Sequence, residues 1–234
     1  MAAVLPDDFG HSRVLMLNRY HAAKYTENPE LRYGYIHYVE DRFITPIITG
    51  NTAPKSILVI GAGGFTFGKD DRRNAYTFVD IDPELKDISE KYLLKHKLDE
   101  NKKFVASDAR TFVRNNKQKY DLIFLDAFNN PNNIPAHLIT REFFQDVRNV
   151  LAPGGRVVFN AISSPTMSDR YSVNIANTFN AVFPNASRQI IQTFDGWKKD
   201  QDKVNIIYMF FEDAPPASEP YQDRKNPFFY DMKK

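Results

Sequence analysis

The sequence predicts an α/β domain built on a doubly wound, mostly parallel sheet whose last two strands pair antiparallel. Three observations carry this. From Ser56 onward short apolar, β-branched runs alternate with helix-like stretches. The runs SILVI and YDLIFL are apolar throughout rather than alternating, as strands buried on both faces are. The last two runs, RQIIQTF and VNIIYMFFE, are joined by the polar stretch DGWKKDQDK, which suits a hairpin.

In chain order, SILVI ends at Ile60 in glycines and AYTFVDI follows as the second strand. Residues 83–96 form a helix with Leu85, Ile88, Tyr92 and Leu93 on its apolar face. KFVAS is a short strand, TFVRNN a short helix and YDLIFLD a buried strand. A helix over residues 137–151 is closed by Pro153, Gly154 and Gly155, and RVVFNAI is the next strand. Residues 168–183 are helical, with Asp169 near the start as a cap. Ahead of this unit, SRVLMLNR and HAAKYT make a hairpin followed by a helix from Tyr35 to Ile48. The division expected is an extension over 1–50, a ligand-binding α/β domain over 51–213 and a polar, proline-containing tail over 214–234.

Composition narrows the function. A chain of 234 residues with 42% hydrophobic and 26% charged side chains has ordinary globular character. The 31 basic residues nearly balance the 29 acidic ones, so no electrostatic footprint for nucleic acid is expected. With no cysteine there is neither a disulfide framework nor a thiolate metal site, which fits a cytoplasmic protein. The five histidines lack metal-ligand spacing, so no metal is expected and solvated or packing roles are assigned to them. The opening MAAVLPDDFG lacks the pattern of a secretory signal, and no apolar run is long enough to span a membrane.

In an open parallel sheet, ligands bind beyond the carboxyl ends of the strands, so the residues that end each strand matter most. The first strand is followed by Gly61, Ala62, Gly63 and Gly64, where missing side chains let backbone approach a ligand. The dinucleotide fingerprint would place a third glycine where Thr66 stands, which disfavours NAD and FAD. The second strand ends in Asp80-Ile81-Asp82-Pro83. Asp82 before Pro83 has the pattern of a helix cap, which leaves Asp80 to accept hydrogen bonds from a ribose diol. After the third strand, Asp108 caps the next helix at Ala109 and can also face a purine edge. Asp126 ends the most hydrophobic strand ahead of a long Asn/Pro loop. A carboxylate in that position is costly without a partner or a function.

The order of these motifs resembles the spermidine synthase family, polyamine aminopropyltransferases on the class I methyltransferase-like (Rossmann-like) fold, and most closely its bacterial spermidine synthase-like members. ILVIGAGG is similar to that family's glycine turn, FVDIDP to its ribose motif and VASDAR to its adenine-side aspartate. YDLIFLDAFNNP, continuing to Ile134-Pro135, is similar to its catalytic loop, and REFFQDVRNVLAPGGRVVFNAIS to the helix and strand that follow. The resemblance implies a co-substrate, decarboxylated S-adenosylmethionine or S-adenosylmethionine, and a small-molecule amine such as putrescine as acceptor. It implies a site of Gly61, Ala62, Gly63, Gly64, Asp80, Ile81, Asp108 and Ala109 for the nucleoside, with Asp126 and Asn129 in the catalytic loop. A homodimer follows by family analogy, while the composition points to the cytoplasm without nucleic-acid or membrane partners.

Two positions depart from the family. Asn129 stands where it has a second aspartate, and Ala22 where its hairpin supplies a glutamine. A neutral amide is not a base, so a methyltransferase and a non-catalytic nucleoside-binding module stand as alternatives. The stretch from Gly61 to Asp80 is also short, so a reduced first helix is expected. The only cations near the glycine turn are Lys69, Arg72 and Arg73, which a shortened helix would carry outward. That favours a donor without a carboxylate.

Overall fold

The apolar runs become the central strands of a seven-stranded sheet in the computed structural model, which describes residues 2–6, 12–17, 20–50, 52–128, 134–191 and 203–212. Three short strands precede it: β1 (Ala2–Pro6), β2 (Ser12–Leu17) and β3 (Tyr20–Thr26). They form an antiparallel sheet in the order β1-β2-β3. The expected hairpin thus gains a third strand, AAVLP. It ends in Pro6 and lies at the sheet edge, where a residue without an N–H removes no ladder bond.

After α1 (Gly34–Val39) a π-helical turn over Glu40–Ile44 leads into α2 (Thr45–Thr49). The large sheet then takes β4 (Ser56–Ile60), β5 (Ala75–Asp80), β6 (Lys102–Ala106), β7 (Tyr120–Leu125), β8 (Leu151–Ser163), β9 (Ser187–Ile191) and β10 (Val204–Phe211). Their order is β6-β5-β4-β7-β8-β10-β9, parallel through β8 and antiparallel at β10 and β9, as the closing hairpin requires. The polar stretch between β9 and β10, with Trp197, and the tail from Ala214 lie outside the described residues.

The remaining helices are α3 (Leu85–Ile88), α4 (Ala109–Asn115), α5 (Arg141–Asn149) and α6 (Arg170–Asn180). α3 runs on as a π-helical segment over Ser89–Leu94 and ends at Lys95 in the left-handed conformation, φ 64°. Side chains set the helix starts. Asp108, Thr140 and Asp169 accept from the N–H of Thr111, Phe143 and Ser172 at 2.9, 3.2 and 2.9 Å. The helix expected over 137–151 is therefore shorter, because Thr140 caps it and His137 sits in the separate 3-10 turn Ala136–Leu138. Pro153, Gly154 and Gly155 lie within the first stretch of β8. Tyr120 pairs with Leu151 and Leu122 with Arg156, so residues 152–155 bulge out opposite Asp121, with Gly154 at φ +70°.

Each face of the large sheet carries its own core. One packs Phe143, Phe144, Phe159, Phe179, Phe183 and Tyr208 from α5, α6 and the strands, with Phe144 edge-on to Phe179 at 5.2 Å. The other joins the strands to the N-terminal segment through Leu15, Ala23, Val39 and Phe43. On this face residues 61–74 cross from β4 to the parallel β5 with only a 3-10 turn, Gly63–Phe65, where such connections usually hold an α-helix. Phe65 and Phe67 fill the space, Phe65 edge-on to Phe78 at 5.2 Å, and the N-terminal sheet packs over them. The reduced first helix expected from the short sequence is the observed state.

Two arginines fasten the N-terminal segment. Arg13 donates to the carbonyls of Leu93 and Leu94 at 2.5 and 3.3 Å, the last acceptors of the π-helical segment. Arg73 gathers the carbonyls ending α2, those of Ile47, Ile48 and Gly50 at 3.3, 3.0 and 2.8 Å, and that of Thr52. Arg72, in contrast, is 75% exposed and, among the described residues, pairs with Asp99. Urea unfolding should therefore show Arg73→Met losing about 1.5–3 kcal/mol, as for hydrogen bonds from a charged donor. Arg72→Met should change stability by less than about 1 kcal/mol. Equal losses would contradict the fastening role.

Candidate functional site

Strand register places the candidate residues at one level along the carboxyl edge of the sheet. Ile60 of β4 pairs with Val79 on one side and with Leu125 on the other, so Gly61, Asp80 and Asp126 are the next residues of three adjacent strands. Asp80 pairs with Ala106, which puts Ser107 and Asp108 beside it, and Leu125 pairs with Phe159, which puts Asn160 beside Asp126. Interstrand bonds hold this edge. The N–H of Gly61 reaches the Val79 carbonyl at 2.9 Å, and the N–H of Asp126 reaches that of Ile60 at 2.8 Å.

The glycine turn is tight for physical reasons. Gly61 has φ +91°, and a Cβ there would lie 2.4 Å from the Asp126 carbonyl oxygen, so the crossing of the first and fourth strand ends admits no side chain. Gly64 has φ +70°, and a Cβ would press on Leu93 at 2.5 Å and on Ala23 at 3.1 Å, beneath the N-terminal sheet. Between them the N–H of Ala62 donates to Asp80 Oδ2 at 3.0 Å. Asp80 Oδ1 accepts from the N–H of Asp82 at 3.1 Å. Burial raises the Asp80 carboxyl above its ordinary range, against the backbone N–H groups of Asp82, Ala62 and Ile81. These backbone groups leave the carboxylate lone pairs for further donors. Asp82 instead accepts from the N–H of Glu84 at 3.0 Å, a local turn bond at the start of α3. Beside Asp80, Ile81 is 73% exposed, while Ala109 beside Asp108 is buried.

Asp108 joins a helix start to a histidine. Its Oδ1 caps α4, and its Oδ2 lies 2.9 Å from His137 Nε2. Although burial favours the neutral acid, the Thr111 N–H and His137 hold the carboxyl below its usual range. The histidine was expected to be merely solvated or packed; it is this aspartate's partner.

Asp126 has the most constrained surroundings. Its Oδ1 accepts from Asn160 Nδ2 at 2.8 Å, and its Oδ2 from the Tyr35 hydroxyl at 3.2 Å. Asn160 is 1% exposed on β8, and Tyr35 reaches in from α1 with its ring stacked 6.2 Å from that of Tyr33. Burial pushes the Asp126 carboxyl up to about 7, more than the two hydrogen bonds pull it down. The Tyr35 hydroxyl is driven well above its ordinary value by burial and by the neighbouring carboxylate. Among the described residues the buried Asn160 Oδ1 finds no partner, although the same amide's Nδ2 donates to Asp126. Asn129, the other catalytic expectation, lies outside the described residues.

Sequence reasoning missed Tyr35 and Asn160. Asn160 had a usable signal, because an amide within the apolar run RVVFNAI must find a buried partner. Tyr35 had none, since only the fold brings α1 over the end of β7. No group of three His, Cys, Asp or Glu side chains among the described residues could hold a metal ion. No helix among them is long and apolar enough to cross a membrane.

Comparison with known proteins adds to this geometry. The sequence model of the spermine/spermidine synthase domain matches residues 43–197. Polyamine aminopropyltransferase 2 of Hyperthermus butylicus is 35% identical over 156 residues, covering 63% of this chain and 51% of that protein. The chain spans about half the length of the curated relatives it matches. A probable spermidine synthase from Corynebacterium glutamicum has a similar structure, with a TM-score of 0.72 at 18% identity over 96% of this chain and 79% of that one. A spermidine synthase in complex with the transition-state analogue AdoDATO gives a TM-score of 0.67 at 18% identity over 92% and 71% of the two chains.

The surroundings of Asp126 set a pH dependence of stability. Its carboxyl titrates near 7 when folded and near 3.8 when unfolded, so between these values the native state binds more protons. Stability then falls as pH rises from about 4 and levels off above about 7. Asp126→Asn keeps the shape and removes the titration. Wild type should lose about 2–4 kcal/mol relative to this variant between pH 4 and 8, read by urea unfolding at each pH. Parallel curves would contradict the raised Asp126 carboxyl.

Proposed function

The chain belongs to the spermine/spermidine synthase domain family, and from that premise we propose that it transfers an aminopropyl-type group from an S-adenosyl sulfonium donor to a small-molecule amine. The observation that carries this reading is Asp126, pinned between Tyr35 and Asn160 beside the glycine turn with a carboxyl that titrates near 7.

The assignment of roles starts from the donor's shape. A ribose diol donates to Asp80, whose carboxyl the backbone N–H groups of Ala62 and Asp82 hold in place. The exposed Ile81 gives a flat ring an apolar surface, and Asp108 with Ala109 lies on the purine side. Gly61, Ala62, Gly63 and Gly64 form the turn that the donor's sulfur end approaches; Gly61 and Gly64 are glycine because protein packs against them, and Gly63 is the open position. In this reading residues 51–213 bind the nucleoside and residues 1–50 roof it.

Chemistry follows from the sulfonium, which makes its attached carbons electrophilic. The protein must then align an amine lone pair with the carbon–sulfur bond and remove a proton from the amine. An alkyl ammonium ion has a pKa of about 10.4, so at neutral pH the acceptor arrives protonated. Asp126 attracts it in the ionised state and takes the proton as the C–N bond forms and the C–S bond breaks; methylthioadenosine leaves. In LDAFNNPNNIP the only carboxylate is Asp126, so the proton has no second acid in this loop to go to. Tyr35 and Asn160 hold the carboxyl in one orientation, which makes them positioning residues. By family analogy the working unit is a homodimer in the cytoplasm, acting without metal, nucleic acid or membrane.

The test supplies S-adenosylmethionine or its decarboxylated form with putrescine or spermidine and identifies the nucleoside product by mass. Amine-dependent methylthioadenosine is expected. Its rate should rise with pH through about 7, and Asp126→Asn should lower kcat/KM by about 100-fold or more while nucleoside binding persists. Adenosylhomocysteine as sole product would make the protein a methyltransferase. Nucleoside binding with neither product would make it a binding module.

A further inference from the structure

Asp108 and His137 come from two separate connections at the carboxyl edge of the sheet. Asp108 lies between β6 and α4, and His137 lies in the 3-10 turn that precedes α5, on the segment following Asp126. Packing fixes where they meet. Ile134 and Leu138, on either side of His137, are buried in the same core as Ala109 and Val113 of α4. His137 Nε2 lies 2.9 Å from Asp108 Oδ2, while Asp108 Oδ1 accepts from the Thr111 N–H at 2.9 Å. The carboxyl is thus anchored to the helix on one side and to the turn on the other, which fixes its plane.

Stability does not account for this pair. The two side chains are 47% and 34% exposed, and water screens an ion pair that open. The bonds also set the donor and acceptor roles. Asp108 is held below the usual carboxylate range, so at neutral pH it is ionised and can only accept. His137 Nε2 therefore carries a hydrogen in either charge state of the ring, and that hydrogen is committed to Asp108. What a ligand can reach here is an oriented acceptor. It lies one strand over from Asp80, which pairs with Ala106 just ahead of Ser107 and Asp108.

We infer that His137 is the positioning residue of a base-reading pair, orienting Asp108 to accept from the 6-amino group of adenine so that the site takes adenine nucleosides and rejects 6-oxo purines. The inference rests on the nucleoside roles proposed above and assigns the choice of base within them. With the ribose diol on Asp80 and the ring against Ile81, the edge of the base comes to Asp108. Adenine presents a donor at position 6, where a 6-oxo purine presents an acceptor. An ionised carboxylate facing that oxygen has no donor to meet and is desolvated for nothing. Without His137 the carboxyl keeps its bond to α4 but can turn about Cβ–Cγ, and its other oxygen leaves the plane of the base.

Titration calorimetry on the full chain, with methylthioadenosine and its 6-oxo analogue methylthioinosine, reads the choice directly. Wild type should bind methylthioadenosine about ten-fold tighter or more. His137→Ala removes a half-exposed ring and should shrink that ratio to about three-fold or less. His137→Gln, whose amide nitrogen can stand where Nε2 does, should restore most of it. Asp108→Asn keeps an oxygen for the Thr111 N–H and turns an NH2 to the base, so it should favour methylthioinosine. A tie between elements that serves the fold alone would weaken both nucleosides alike. An unchanged ratio in His137→Ala, a reduced ratio that His137→Gln leaves unrestored, or a methylthioadenosine preference that survives Asp108→Asn would each overturn the inference. Equal binding of the two nucleosides by wild type would overturn it as well and leave the nucleoside site standing. Failure of wild type to bind either nucleoside would overturn the transfer reading and this one with it.

Discussion

The carboxyl of Asp126 holds three separate parts of the chain in one place. Tyr35 comes from the helix that follows the small N-terminal sheet, Asn160 from the fifth parallel strand, and Asp126 itself from the end of the fourth. A carboxylate taken out of water is expensive unless its lone pairs are filled. Here the two hydrogen bonds offset part of that cost, and the remainder shows as a carboxyl that titrates near neutrality. The same residue's carbonyl presses against Gly61, so side chain and backbone both tie the fourth strand to the glycine turn. Chemistry and architecture thus share one residue. A strand end that must pass this close to a glycine also delivers its carboxyl to the ligand side of the sheet.

A second constraint is the missing first helix. Fourteen residues, 61–74, make a crossover between parallel strands with one 3-10 turn. Two phenylalanines and the N-terminal sheet cover the surface that a helix would otherwise protect. Phe65 sits there at φ +63°, an unusual conformation for an aromatic residue, held by edge-on contacts with Phe78 and Phe104. The arrangement makes the N-terminal segment a wall of the site rather than an appendage. It also explains why Lys69, three residues past Thr66, turns inward over Tyr25 of β3. A shorter connection brings the lysine under the sheet that replaces the helix.

Most of the sheet was legible because buried parallel strands are written as unbroken apolar runs and because glycine, proline and capping residues mark their ends. The level shared by Gly61, Asp80 and Asp126, with Asp108 just beyond it, was legible for the same reason, since each follows a recognisable run. Other features were not written locally. AAVLP becomes a strand only because β2 offers it an edge, and the start of α5 depends on Thr140 capping rather than on the apolar period that begins at His137. Pro153-Gly154-Gly155 has the pattern of a helix stop, but tertiary pairing makes it a bulge at the start of β8. Tyr35 required knowledge of which segments meet, since only the fold brings α1 to the end of β7.

The account turns on a carboxyl at Asp126 that gains and loses its proton near neutral pH. The most direct check is a carbon-13 NMR titration of the aspartate side-chain carboxyls, with the Asp126 signal assigned by its loss in Asp126→Asn. A midpoint near 7 for that signal, shifting when Tyr35→Phe removes one of its two hydrogen bonds, is the expected result. A midpoint near 4, unmoved by the tyrosine substitution, would mean that the carboxyl is solvated and that the site has no base held for proton transfer.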